Sequence, residues 1–169
     1  MKSASIELQF ENHYINLIES PGHMDFCSKV SSAARLSDSA LILVNAVEGV
    51  HRQTHAVLRQ AWVKKLKPCL AINKIDRLIL ELELKPMDAF TKLLKIIYEV
   101  NRIYSGYESE KYLSDIDPIL AEPSGVEENT EGIFQPQKRT VAFVCALDGW
   151  GFPTEDFLRL WASKGMDYD

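Results

Sequence analysis

The sequence predicts an α/β fold, with a mostly parallel sheet flanked by helices. Three observations lead there. Short apolar runs alternate with segments of helical period along most of the chain. Two of those runs, Ala40–Val44 and Cys69–Ile72, are continuously apolar and strand-sized, as expected of strands buried on both faces of a parallel sheet. The chain has 169 residues, 46% of them hydrophobic, which is enough for a core.

Ser5–Phe10 alternates, with Ile6, Leu8 and Phe10 on one face, so it reads as a half-buried strand. Glu11-Asn12-His13 is a polar turn and Tyr14–Ile18 a second strand, making an antiparallel hairpin. Ser20-Pro21-Gly22-His23 is a loop. Phe26, Val30, Ala33 and Ala34 recur at helical spacing, which predicts a helix over Asp25–Leu36. The strand Ala40–Val44 is succeeded by a helix over Thr54–Lys65, with Ala56, Leu58, Ala61 and Trp62 apolar. The strand Cys69–Ile72 ends at Asn73-Lys74-Ile75-Asp76. Phe90, Leu93, Leu94, Ile97 and Val100 set a helix from Met87 to Tyr104. Val141–Cys145 is the last strand and Thr154–Ser163 the last helix. Between the Met87–Tyr104 helix and the last strand, Ser105–Arg139 keeps no period. It carries Gly106, Pro118, Pro123, Gly125, Gly132, Pro136 and the acidic pair Glu127-Glu128. It reads as an irregular, partly mobile surface insertion in an otherwise single domain.

Composition excludes several classes. The net charge is −5, against a basic module that holds nucleic acid by counterion release. The three cysteines, Cys27, Cys69 and Cys145, are far apart and form no C-x-x-C, so neither a disulfide scaffold nor structural zinc is expected. No apolar run approaches a membrane span, and polar residues interrupt the first thirteen positions where a signal peptide would lie. A reducing, cytoplasmic setting without membrane attachment fits.

In parallel sheets, ligands bind beyond the carboxyl ends of the strands. Three segments fall there: Glu19-Ser20-Pro21-Gly22-His23, Asn73-Lys74-Ile75-Asp76 and Cys145-Ala146-Leu147. A carboxylate at Asp76 can accept the two adjacent N–H groups on one edge of guanine as a charge-assisted pair. Asn73 can bond the other edge of the base and tie neighbouring loops, and the Lys74 stem can cover the base plane. The same residues also suit a ligand-free polar turn. Gly22 allows a close backbone approach to a terminal phosphate. His23 can orient or polarise an attacking water, or be a loop histidine without a role. Cys145 and Ala146 offer backbone N–H groups to a base carbonyl, as any strand end does.

The order Glu-x-Pro-Gly-His, Asn-Lys-x-Asp, Cys-Ala-Leu resembles the translational GTPases. Ile15–Phe26 (INLIESPGHMDF), Ala46–Val50 (AVEGV), Gln53–Trp62 (QTHAVLRQAW) and Asn73–Leu78 (NKIDRL) resemble their elongation factor 2 group. Asn73–Ile79 and Leu147–Phe152 (LDGWGF) are most similar to its branch of elongation factor-like GTPases of ribosome assembly. Glu108–Leu113 (ESEKYL) and Phe134–Lys138 (FQPQK) resemble the plant members. The resemblance implies a P-loop GTPase-like fold with GTP and Mg²⁺ as ligands. Glu19 would stand near the metal, Gly22 near the γ-phosphate, and His23 would be the catalytic histidine. Asn73, Lys74 and Asp76 would read guanine, helped by Cys145 and Ala146. It further implies GTP hydrolysis on the large ribosomal subunit late in assembly, with a protein cofactor, releasing an anti-association factor. No direct sequence-specific nucleic-acid contact is expected of this segment.

The sequence departs from that pattern. No glycine is followed by lysine, so the Gly-x-x-x-x-Gly-Lys-Ser/Thr phosphate loop is not in these residues. The switch threonine is missing too, and Met1-Lys2-Ser3 resembles the family's residues just after that threonine. Glu19 and Asn45 each stand where the family has Asp. The expectation is a partial GTP-binding domain over residues 1–169, lacking its first strand and phosphate loop. Alone it would be poorly stable and would not hold GTP tightly. The alternative is a non-catalytic remnant or docking module.

Overall fold

The computed structural model describes residues 4–20, 27–115 and 132–163. The expected hairpin forms first. Strands β1 (Ala4–Phe10) and β2 (His13–Glu19) pair antiparallel, from Ala4 opposite Glu19 to Phe10 opposite His13. The tight turn puts Glu11 at φ 52°, a left-handed conformation that costs a non-glycine residue about 1–2 kcal/mol. The hairpin makes a two-stranded sheet of its own.

A second sheet of four strands has the order β3 (Ser39–Asn45), β4 (Lys67–Asn73), β5 (Val141–Cys145) and β6 (Trp150–Pro153). The first three run parallel, and β6 returns antiparallel to β5. Helix α1 (Cys27–Arg35) precedes β3, and α2 (Arg52–Val63) joins β3 to β4. The short α3 (Asp76–Leu80) and the long α4 (Pro86–Asp115) come after β4, and α5 (Thr154–Ser163) comes after β6. The α/β class with a mostly parallel sheet is as the periodicities predicted.

The core lies between the sheet and helices α2 and α4. Ile42, Val44, Leu70, Ile72 and Val141 meet Leu58, Ala61, Ile96, Ile97 and Val100 there. Arg139, at φ 58° just before β5, ties the sheet to α5 through Glu155 (2.6 Å) and Asp156 (3.3 Å). The Arg139 guanidinium holds the Glu155 carboxyl below its ordinary range. No helix among the described residues is long and apolar enough to cross a membrane.

Five sequence readings are corrected. Strand β3 is not covered on both faces: Ile42 and Val44 are buried, but Leu41 is 58% and Leu43 63% exposed. The alternation shows one face packed on the helices and the other bare, and among the described residues no strand pairs with the outer edge of β3. Likewise β1 is exposed along its whole length rather than half-buried, with Ile6 at 54% and Phe10 at 63%, because no described element packs over it.

The helix expected to end at Tyr104 runs on to Asp115, so the first part of the presumed insertion is helical. Gly106 does not stop it, since one helical glycine costs only about 1 kcal/mol. The last part of that segment is packed rather than loose. The Asn101 amide of α4 clasps the Phe134 backbone at both groups: its Nδ2 donates to the Phe134 carbonyl and its Oδ1 accepts the Phe134 N–H, each at 2.9 Å. Gly132 lies so close that a Cβ there would collide with the Asn101 side chain. Phe134 is 1% exposed and meets Tyr104 edge-on at 5.7 Å. The residues between, 116–131, lie outside the described part. Finally, β6 and α3 have no counterpart in the sequence reading. The glycine within Trp150–Pro153 hides a strand pattern, and five residues are too few to show a helical period.

Phe134→Ala is expected to destabilise the chain by about 3–5 kcal/mol. The measurement is the denaturant midpoint, and an unchanged midpoint would show that the segment is loosely attached after all.

Candidate nucleotide base site

The parallel strands β3, β4 and β5 end along one edge of the sheet, with Asn45 opposite Asn73 and Asn73 opposite Val144. Three loops therefore leave side by side. Asn73 joins all three. Its carbonyl accepts the Ala46 N–H from the loop after β3 at 2.8 Å. Its side-chain Oδ1 accepts the Lys74 N–H at 2.8 Å and, from the loop after β5, the Ala146 N–H at 3.1 Å. With the oxygen used inward, the NH₂ end of the amide is the one that can reach a ligand.

Lys74 sits at φ 64°, in the left-handed region, so the chain turns sharply out of β4. Asp76 then opens α3, which Leu78, 1% exposed, anchors in the core. The turn after β5 holds a second carboxylate. Cys145 Sγ, fully buried, donates to Asp148 Oδ2 at 3.3 Å. Burial, first, and then the Asp76 and Asp148 carboxylates push the Cys145 thiol up, so it remains an S–H donor. The Ala146 N–H, expected to meet a base carbonyl, is given to Asn73, so the two would compete for one proton.

The loop after β3 is shaped by Asn45. Its Oδ1 accepts the Val47 N–H at 2.9 Å, and its carbonyl accepts the Gly49 N–H at 2.8 Å, with Gly49 at φ 80°. An asparagine makes this turn as well as an aspartate does. Glu48 pairs with His51 Nε2 at 3.0 Å, and that bond leads the lowering of the Glu48 pKa, with Lys74 adding to it from the neighbouring loop.

The structure thus brings Asn73, Lys74, Asp76, Cys145 and Ala146 together. It does not add Glu19, which is exposed at the end of β2 in the separate hairpin. Gly22 and His23 lie outside the described residues. No group of three or more metal-ligating side chains exists among the described residues. The residues at the β4–β5 edge fit a base with adjacent N–H donors. Sequence reasoning did not assign Asp148 or Asn45 a place here. The signal was there: each is an Asn or Asp in a short turn with a glycine one or four residues on.

Residues 1–163 match the family of the Elongation factor Tu GTP binding domain. The chain belongs to that family. It is 40% identical to human "Elongation factor-like GTPase 1", over 97% of this chain and 17% of that protein. It is 44% identical to "Ribosome assembly protein 1" of Saccharomyces cerevisiae, over 96% of this chain and 15% of the relative. "Ribosome assembly protein 1" of Schizosaccharomyces pombe is 42% identical, over 97% of this chain and 17% of the relative. The chain therefore spans about a sixth of the length of these relatives.

Asn73→Ala removes the acceptor shared by the Lys74 and Ala146 amides. It is expected to speed hydrogen exchange at both, with a stability loss of about 1–3 kcal/mol. Unchanged exchange at Ala146 would mean that the β4 and β5 loops are held together by something else.

Proposed function

We propose that the chain forms the base-reading part of a GTP-hydrolysing protein of ribosome assembly. The observation that carries this reading is the Asn73 side chain, which bonds Ala146 across the sheet and so ties the loop that begins Asn73-Lys74-Ile75-Asp76 to the turn after β5. Asp76 would accept the two N–H donors of guanine, Asn73 would present its NH₂ to the base, and the Lys74 stem would lie over the ring. Cys145 and Ala146 would close the pocket. The names of the relatives support the ribosome-assembly setting.

The finer reading rests on the family resemblance. Gly22 would give its N–H to the γ-phosphate, and His23 would orient the attacking water. Glu19 would stand near Mg²⁺, whose role when bound is to neutralise charge on the phosphates. The large ribosomal subunit would stimulate the reaction, together with a protein cofactor, in the cytoplasm.

A second reading has one observation in its favour. No glycine of the 169 residues precedes a lysine, so this stretch alone offers base contacts without the phosphate loop. On that reading it docks or remains inert and binds GTP weakly. Titrating the chain with GDP and with ADP, monitored by amide NMR shifts of residues 73–76 and 145–149, tests the base reading. GDP is expected to move these signals and ADP to leave them. Equal responses would overturn it.

A further inference from the structure

Helix α2 ends in a turn that leaves three lysines beside an apolar cavity. The Leu66 N–H bonds the Ala61 carbonyl and the Lys65 N–H bonds the Trp62 carbonyl, each at 3.0 Å, so the helix closes in a two-bond cap that reverses the chain. The cap puts Lys65 at φ 55°, a left-handed position that glycine usually fills. Lys64, Lys65 and Lys67 fall within four positions, a local concentration of positive charge in a chain of net charge −5. Among the described residues, no carboxylate forms a salt bridge with any of the three.

The cavity beside them, about 480 Å³, is lined by Trp62, Val63, Lys65, Leu66 and Tyr104. It is large enough to take a side chain or a small ligand. The rings of Trp62 and Tyr104 meet edge-on, 5.3 Å apart and 87° from parallel, which fixes the aromatic wall. Val63, the last residue of α2, is apolar and yet 60% exposed. Two ligand chemistries join apolar or aromatic contact to negative charge: an acidic peptide and a single-stranded nucleic acid. A nucleic-acid base stacks on an open ring face, and Tyr104, 5% exposed, offers none. A narrow apolar wall with a lysine in it instead suits one aliphatic or aromatic side chain flanked by carboxylates.

We propose that this cavity and its lysines are a docking surface for an acidic segment of a partner protein. The segment inserts one apolar side chain against Trp62, Val63 and Leu66 and lays its carboxylates along Lys64, Lys65 and Lys67. Charge complementarity selects this occupant over a second copy of the chain, whose net charge of −5 is spread over a surface that repels its like. The surface is separate from the base-reading residues. Lys67 opens β4 and Asn73 closes it, which sets the two about 20 Å apart at about 3.3 Å per residue. A partner docked here leaves the carboxyl ends of the strands uncovered.

The test titrates the full chain with a labelled synthetic peptide that holds one leucine between runs of glutamate and aspartate. Fluorescence anisotropy reads the affinity, and the NMR signal of the Trp62 indole N–H reads the place. Saturable binding that weakens with added salt and shifts the Trp62 signal is expected. Alanine in place of the peptide's leucine is expected to weaken binding about tenfold, and glutamine in place of its acids by at least as much. On the protein, Lys65→Gly/Lys67→Gln removes two charges and suits the left-handed turn, so it keeps the fold and is expected to bind about tenfold more weakly.

No saturable binding at millimolar peptide overturns the proposal, as does binding that leaves the Trp62 signal in place. Equal affinity for the leucine and alanine peptides removes the cavity from recognition, and equal affinity for the acidic and glutamine peptides removes the lysines; either result overturns it. Oligouridylate that shifts Trp62 and displaces the acidic peptide would make the surface a nucleic-acid site instead. If the lysine variant fails to fold, the peptide series alone decides. None of these arms uses a nucleotide at the strand ends, so failure here leaves the base reading untouched.

Discussion

Joining a strand and a Gly-x-x-x-x-Gly-Lys-Ser phosphate loop ahead of Met1 is expected to raise the affinity of the chain for GTP by about four to nine powers of ten. Such a loop supplies several charge-assisted hydrogen bonds, each worth about 1.5–3 kcal/mol net, and four of them account for that range. The base contacts proposed for Asn73 and Asp76 cannot supply it, because they number fewer. The added strand has a place to go. The outer edge of β3 is open among the described residues, and Leu41 and Leu43 beside it are exposed. Calorimetric titration with GTP and Mg²⁺ measures the gain, and thermal melting of the two chains measures the added stability. In the joined chain, His23→Ala is expected to lower turnover on large ribosomal subunits by about 10²–10⁴-fold while leaving GTP binding intact. Micromolar GTP binding by the unextended chain would overturn the affinity argument, and full turnover by the His23 variant would remove that residue from the chemistry.

Asp76→Asn is expected to weaken guanine nucleotide binding about a hundredfold or more, and to strengthen binding of the xanthine analogue. On the proposed reading the carboxylate accepts two N–H groups. The amide puts an N–H against one of them, which loses a charge-assisted bond and leaves donors facing each other. Xanthine carries a carbonyl where guanine carries its amino group, so it matches the donor and acceptor of an amide. Parallel titrations with guanosine and xanthosine diphosphates separate this from simple damage, since a merely unfolded variant loses both. Equal losses would mean that Asp76 does not face the base. The fold itself does not depend on this carboxylate, since α3 is anchored through Leu78 rather than through Asp76.

Some of this molecule is written locally. Alternation in Ser5–Phe10 and the continuous apolar runs at Ala40–Val44 and Cys69–Ile72 each lie within one element, and each became a strand. The last helix, Thr154–Ser163, has the bounds its period predicts. Asn-Lys-x-Asp is contiguous, so its position after a buried strand could be read directly. What failed was anything that needed a neighbour. Exposure of Leu41, Leu43 and the hairpin depends on what does or does not pack over them, and apolar pattern alone assigns them to an interior. Phe134 lies in a stretch with no period, yet it is among the most buried side chains.

The sequence by itself determined the α/β class, the main strands and helices, and the chemical kind of the residues at the strand ends. Those are properties of short windows, where backbone geometry dictates periods of two and 3.6 residues. Only the tertiary structure decided which of those residues meet. Asn73 reaches Ala146 across 73 positions of chain, and Asn101 reaches Phe134 across 33. Contacts over such separations exist because strand pairing and helix packing bring the elements together, and no local pattern records the partner.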